Sequence, residues 1–320
     1  MRAMVQPRLL IVAAAAVLVS VLPFTMDGYH QGIVTTVAIY FIAILGLNIL
    51  TGYTGQISIG HGAFMAIGGY TTVLLSHDQH TNLILTLPAS LAVCFLCGLL
   101  VGIPALRLSG VYLALATFAL AVSVPQLPLK FSKFLGGSNG IQADHTVSHL
   151  WLYAVSWSCA AIAFVGAWLL LRGRIGRAFR AVRDSEVAAA SSGISLPIYK
   201  TFAFGVSAAY AGVAGSLFVL ATNGFAQPNE FGVLLSLKIL IGAAVAGLGS
   251  LWGVAVGAVF VGLLPQISAS VPLVGPAHGQ DVVFGIVVIL VMLVLPNGFA
   301  GLLARAAALR FAIKPDPKSS

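Results

Sequence analysis

LILTLPASLAVCFLCGLLVGIPAL, residues 83–106, runs for 24 residues without a charged side chain. A helix of roughly 20 apolar residues matches the hydrocarbon thickness of a bilayer, so this stretch predicts a transmembrane helix. Working outward, the same pattern recurs at Leu9–Met26, Ile33–Thr51, Gly62–Leu75, Val111–Leu129, Leu150–Leu171, Thr201–Thr222, Phe231–Gly247, Leu251–Ser268 and Val282–Leu303. The apolar residues come in blocks rather than in amphipathic stripes. Only 8% of the 320 residues are charged and 59% are hydrophobic, with mean hydropathy +1.02, against about 25% charged in an ordinary globular domain. Too few charges remain to cover a soluble surface, which excludes a soluble enzyme, a secreted disulfide scaffold and a disordered chain. The expected fold is all-α: a polytopic integral membrane protein of about ten transmembrane helices, with one membrane domain over residues 1–304 and a tail over 305–320. The first run follows Arg2 and Arg8 like a signal peptide. No small-x-small cleavage site follows it across Leu22–Met26, so it is expected to be retained.

The charges orient the chain. With the N-terminus in the cytoplasm and ten alternating helices, Arg2, Arg8, Arg107, Arg172, Arg174, Arg177, Arg180, Arg183, Lys200, Arg305, Arg310, Lys314 and Lys318 all fall on the cytoplasmic side, as the positive-inside rule requires. Lys130 and Lys133 fall outside, and Lys238 lies within a span, where it reads equally as a functional charge or as a snorkelling side chain. Both termini are therefore expected in the cytoplasm. The net charge of +8 is a statement about topology and lipid contact, not about nucleic acid. Cys94-x-x-Cys97 has metal or redox spacing, but it sits among Val, Phe and Leu with no His or carboxylate, and reads as apolar filler.

Two stretches interrupt the apolar pattern: GYTGQISIGHG at 52–62 and GLGSLWG at 247–253. Irregular backbone at membrane depth persists where it is buried in protein or lines a polar cavity, and glycine-interrupted segments in both halves of a transporter point to its pathway. Tight interfacial turns are the competing reading. Asn48, Gln56, Ser58 and His61, with Gly52, Gly55 and Gly60, are the candidate path residues, neutral groups able to hydrogen-bond a zwitterion or water; interhelical bonding is the alternative for each. The outer-face loops at Asn139 and at Ala226–Glu230 are candidate contacts for an external partner or ordinary turns. The most strongly charged stretch is RGRIGRAFRAVRDSEVAAASSGISLP, residues 172–197, read as short amphipathic helical pieces stopped by Gly193 and followed by Pro197.

Within that stretch Glu186-x-Ala188-Ala189-x-x-x-Gly193 resembles the EAA-type loop by which ABC-importer permeases dock on their ATPases, one residue off the commoner spacing. GLNILTGYTGQISIGHGAF at 46–64, leading on to Gly69-Tyr70, resembles the signature of branched-chain amino acid permeases. Leu108–Thr117 and Gly136–Gly140 are similar to segments of the LivM-type subunit rather than its LivH-type partner, and Gly247–Gly253 and Leu295–Gly301 resemble the family's C-terminal part. The resemblance covers roughly residues 35–304. It implies a permease domain over 1–304 in a bacterial inner membrane, working by alternating access with a second, LivH-type permease subunit, two ATPase subunits and an extracytoplasmic solute-binding protein. It makes Arg177, Arg180, Glu186, Ala188, Ala189 and Gly193 of the 172–200 loop the ATPase-docking residues. The chain is expected to hold no cofactor and no metal of its own. None of its six lysines follows a glycine, so it has no Gly-x-x-x-x-Gly-Lys phosphate loop, and ATP and Mg are expected on the partner ATPases. Another small solute (urea, an amide, an aromatic acid) remains open as substrate. An ion-coupled carrier is disfavoured, because the eight acids avoid the spans, and no HExxH or paired intramembrane aspartates suggest a membrane enzyme.

Overall fold

The computed structural model describes residues 27–79, 82–143, 147–269 and 285–290, with Pro23, Leu293, Gly298, Phe299 and Gly301 besides. Its main elements are α1 (Gly28–Leu47), continued by a π-helical turn (Asn48–Tyr53), α2 (His61–Gln79), α3 (Leu83–Ala105), α4 (Val111–Ser123), the short α5 (Leu127–Lys130) and α6 (Ser132–Leu135), β1 (Ile141–Gln142), α7 (His149–Arg172), α8 (Arg174–Asp184), α9 (Glu186–Ser191), α10 (Leu196–Ala221), β2 (Phe225–Ala226), α11 (Val233–Ala246) and α12 (Gly253–Ala269). The protein is an all-α, multi-pass membrane protein. Among the described residues, six helical stretches are long and apolar enough to cross a membrane: Gly28–Tyr53, Leu83–Ala105, Val111–Lys130, His149–Arg172, Leu196–Ala221 and Pro228–Ala246. α2 and α12 fall short of that standard but lie on two further expected spans. Apart from Pro23, the expected span Leu9–Met26 lies outside the described residues, as does the tail 305–320. Of Val282–Leu303 and Leu295–Gly301, only residues 285–290 and a few single positions are described, and these are helical.

One boundary differs from expectation. Pro197 follows the Gly193 stop as expected, but it already occupies the first turn of α10, where its missing N–H costs nothing and its fixed φ suits the helix. Lys200 therefore belongs to α10 rather than to the loop.

α10 is the centre of the bundle and packs against α3, α2 and α1. Lipid tails are as apolar as the side chains, so helices gain by close packing and interhelical hydrogen bonds rather than by escape from water. The sequence supplies both. Gly68 of α2 lies so close to the Gly212 backbone of α10 that a Cβ there would overlap it, and Gly98 of α3 abuts Phe204, Gly205 and Ala208. Beside these crossings, the Thr72 hydroxyl meets those of Ser90 and Ser216, and Ser90 donates to the Gly68 carbonyl at 3.0 Å, so one buried polar knot joins α2, α3 and α10. On one end of the bundle β1 pairs antiparallel with β2, Ile141 opposite Ala226, so the two loops singled out on the outer face lie together.

Candidate functional site

The first glycine break begins as a change in helix type. After Leu47 the chain widens into the π-helical turn Asn48–Tyr53, a rare geometry that recurs at functional sites. Thr54 closes it by donating from Oγ1 to the Leu50 carbonyl at 2.6 Å, and Gly55 follows with φ +73°, a left-handed backbone that favours glycine. From there to His61 the chain has no helical bonding and its burial alternates: Gln56, Ser58 and Gly60 are buried, whereas Gly55 and Ile57 are exposed.

That alternation decides where the candidate path side chains go. Gln56 Nε2 donates to Thr54 Oγ1 at 3.0 Å and to the Lys200 carbonyl at 3.4 Å, while the Gln56 main-chain carbonyl accepts from Thr51. Ser58 Oγ accepts from the Gly60 N–H at 3.3 Å. Gly60 lies against Thr117 of α4, whose hydroxyl accepts from the Ile59 N–H at 3.0 Å. His61 Nε2 is 2.9 Å from Ser207 Oγ on α10. Ser207 gives its own proton to the Gly46 carbonyl at 2.8 Å, so His61 Nε2 is the donor of the pair. That Nδ1 is buried without a partner. The side chains of Gln56, Ser58 and His61 thus hold the extended segment against α10 and its own turn. The open face of the segment consists of Gly55, Ile57 and main chain, and among the described residues the Ile57 main-chain groups meet no partner.

Asn48 faces the other way, into the second break. Its Oδ1 accepts from the Gly249 N–H at 2.8 Å and its Nδ2 donates to the Ser250 carbonyl at 3.0 Å. Gly52 sits beside Asn48 and Gly249 with no room for a Cβ, and Gly247 and Gly249 hold φ values of +86° and +85°. The interruptions at 52–62 and 247–253 therefore form one junction. Arg183 of α8 completes it, donating from Nη1 to the Gly52 carbonyl at 2.6 Å. Sequence reasoning passed over Arg183. Its signal in the sequence was its i+4 relation to Phe179, which sets it beside the buried side of α8 rather than on the solvent face.

α8 and α9 form a ledge on the same end of the bundle as the junction. α8 buries Gly176, Ala178, Phe179 and Val182 and exposes Arg177 and Arg180. Ser185 caps α9 by accepting from the Ala188 N–H at 3.2 Å. Gly193 ends the helix as anticipated, at φ +80°, with the Ile194 N–H bonded to the Ala189 carbonyl at 3.0 Å. Ala189 is buried, whereas Val187, Ala188 and Ala190 are exposed, and Glu186 is tied back to Lys200 by an ion pair of 2.6 Å. The 172–200 loop is thus two capped helices pinned to α10. Lys238 is half-buried in α11 and engaged by its surroundings.

Residues 29–292 match the family described as branched-chain amino acid transport system / permease component. The chain belongs to that family. It is 33% identical over 270 residues to the high-affinity branched-chain amino acid transport system permease protein LivM of Salmonella typhimurium, covering 75% of this chain and 63% of the relative. The LivM protein of Escherichia coli strain K12 is 32% identical, covering 79% and 66%. The LivH permease protein of Salmonella typhimurium is 25% identical, covering 84% and 93%. The chain spans just under two thirds of the length of these LivM proteins. No solved structure matches it. Within the permease family, the chain's junction, extended segment and ledge lie inside the matched residues.

Proposed function

We propose that this chain is the LivM-type permease subunit of an ATP-driven importer for branched-chain amino acids in a bacterial inner membrane. It works with a LivH-type permease subunit, two ATPase subunits that bind ATP and Mg, and an extracytoplasmic solute-binding protein. The carrying observation is the ledge. α9 presents Val187, Ala188 and Ala190 with a free approach at Gly193, where an added Cβ would meet nothing within 4 Å, and α8 flanks them with Arg177 and Arg180. Small exposed residues beside a basic helix suit a partner groove that must come close to the backbone.

The translocation path is assigned to residues 48–61, in an altered form. Asn48, Gln56, Ser58 and His61 shape the segment, with Gly52, Gly55 and Gly60 permitting its close contacts, and the surface offered to solute is the main chain around Ile57. Unpartnered peptide groups cannot face lipid, and they suit a zwitterion, whose two charges need one acceptor and one donor set.

The test is uptake of radiolabelled leucine by proteoliposomes holding both permease subunits, both ATPase subunits and the binding protein. ATP-dependent accumulation is expected, and uptake driven by an ion gradient without ATP overturns the reading. Glu186→Lys combined with Gly193→Arg is expected to abolish co-purification of the ATPases; an intact complex removes the docking assignment.

A further inference from the structure

We infer that Arg183 is a positioning residue that links the ATPase-docking ledge to the hinge of the permease, through a single side-chain bond to the first glycine break. The inference rests on the docking assignment above and adds how a movement of the ledge reaches the membrane helices.

Four observations converge. Arg183 stands on α8, one residue short of its end, and its guanidinium donates to the Gly52 carbonyl at 2.6 Å. Gly52 lies in a π-helical turn, where the wider bonding leaves main-chain groups open to outside partners. The same guanidinium lies against Gly249, so that it covers both breaks at once. Asn48 locks the breaks to each other with two hydrogen bonds from one amide, and Tyr53 lies against the Leu251 backbone. A displacement of α8 is therefore delivered to the end of α1 and to the turn between α11 and α12 together. These turns contain Gly55, Gly247 and Gly249 at φ between +73° and +86°, the kind of positions that absorb a change of backbone angle. The rest of the ledge holds on elsewhere: Glu186 ties α9 to Lys200 of α10. Arg183 is accordingly separable from the dock itself.

A charge-assisted bond of this kind corresponds to a coupling of roughly tenfold or more. In the reconstituted complex, Arg183→Ala is expected to keep its ATPase subunits on co-purification and to keep basal ATP hydrolysis. The amount of leucine imported per ATP hydrolysed should fall by about tenfold, and stimulation of hydrolysis by the solute-loaded binding protein should be lost. Arg183→Lys, which retains a donor, is expected to recover part of the ratio. An unchanged ratio of import to hydrolysis in Arg183→Ala overturns the link while leaving the dock standing. Loss of the ATPase subunits from Arg183→Ala also overturns it, because Arg183 then belongs to the dock or to the folded frame. Failure of the docking assignment shows separately, as an intact complex in the Glu186→Lys, Gly193→Arg variant.

Discussion

Asn48 shows what one side chain contributes here. Its amide satisfies a donor on Gly249 and an acceptor on Ser250, 201 and 202 positions away in sequence. Asn48→Ala is expected to lower the stability of the detergent-solubilised protein by about 1–2 kcal/mol, read from its thermal unfolding midpoint, since interhelical bonds in membranes are individually modest. Gly68 makes the complementary case. A methyl group at Gly68 would collide with the main chain of Gly212, which cannot rotate away. Gly68→Ala is therefore expected to destabilise by about 1–3 kcal/mol on the same measurement. Both residues were visible in the sequence as an isolated amide and a glycine. Their partners were not, because the contacts join segments that no local pattern connects. The inward aim of Gln56, Ser58 and His61 was hidden for the same reason: polar residues beside glycines suggest a lined path, and only the burial alternation shows which side of the chain they occupy.

At the level of elements, α9 owes its short length to its two ends, Ser185 at one and Gly193 at the other. Gly193→Val places a β-branched residue at φ +80° with open space around it, so its whole cost is backbone strain of about 1–2 kcal/mol. That strain falls on a helix of six residues. The expected result is weakened ATPase co-purification with an unchanged global unfolding midpoint, since the strain is local. Helix positions were well marked in the sequence: the described helices cover eight of the expected spans, and both glycine breaks lie where the apolar pattern lapses. Helix burial was not marked by hydropathy. The most apolar window of α7 has hydropathy 1.9 and is 22% buried, whereas that of α10 has 1.7 and is 78% buried. In lipid, both surfaces of a helix are apolar, so the amphipathic signal that separates inside from outside in a soluble protein is missing. The usable trace is residue size. α10 carries Gly205, Gly212 and Gly215 where it meets its neighbours, and α7 carries Trp157, Trp168 and a run of leucines.

For the whole molecule, the ledge and the two breaks lie at one end, and the β1–β2 pair involves the loops expected on the other face. Single cysteines introduced at Arg180 and Leu248, in a background lacking Cys94, Cys97 and Cys159, are expected to resist a membrane-impermeant maleimide in intact cells; one at Asn139 is expected to react. Labelling of the Arg180→Cys variant from outside would reverse the topology. The strand pair adds a mechanical asymmetry. It fastens the segment after α6 to the segment after α10, with Ala143 N–H on the Gly224 carbonyl at 2.8 Å and the Tyr70 hydroxyl reaching Ala226 at 3.5 Å. One rim of the molecule is thus riveted by main-chain bonds, whereas at the opposite rim the two breaks are joined by side chains, those of Arg183 and Asn48. Stitches made by side chains can be cut by single substitutions, whereas main-chain rivets survive any change of side chain that keeps the backbone path.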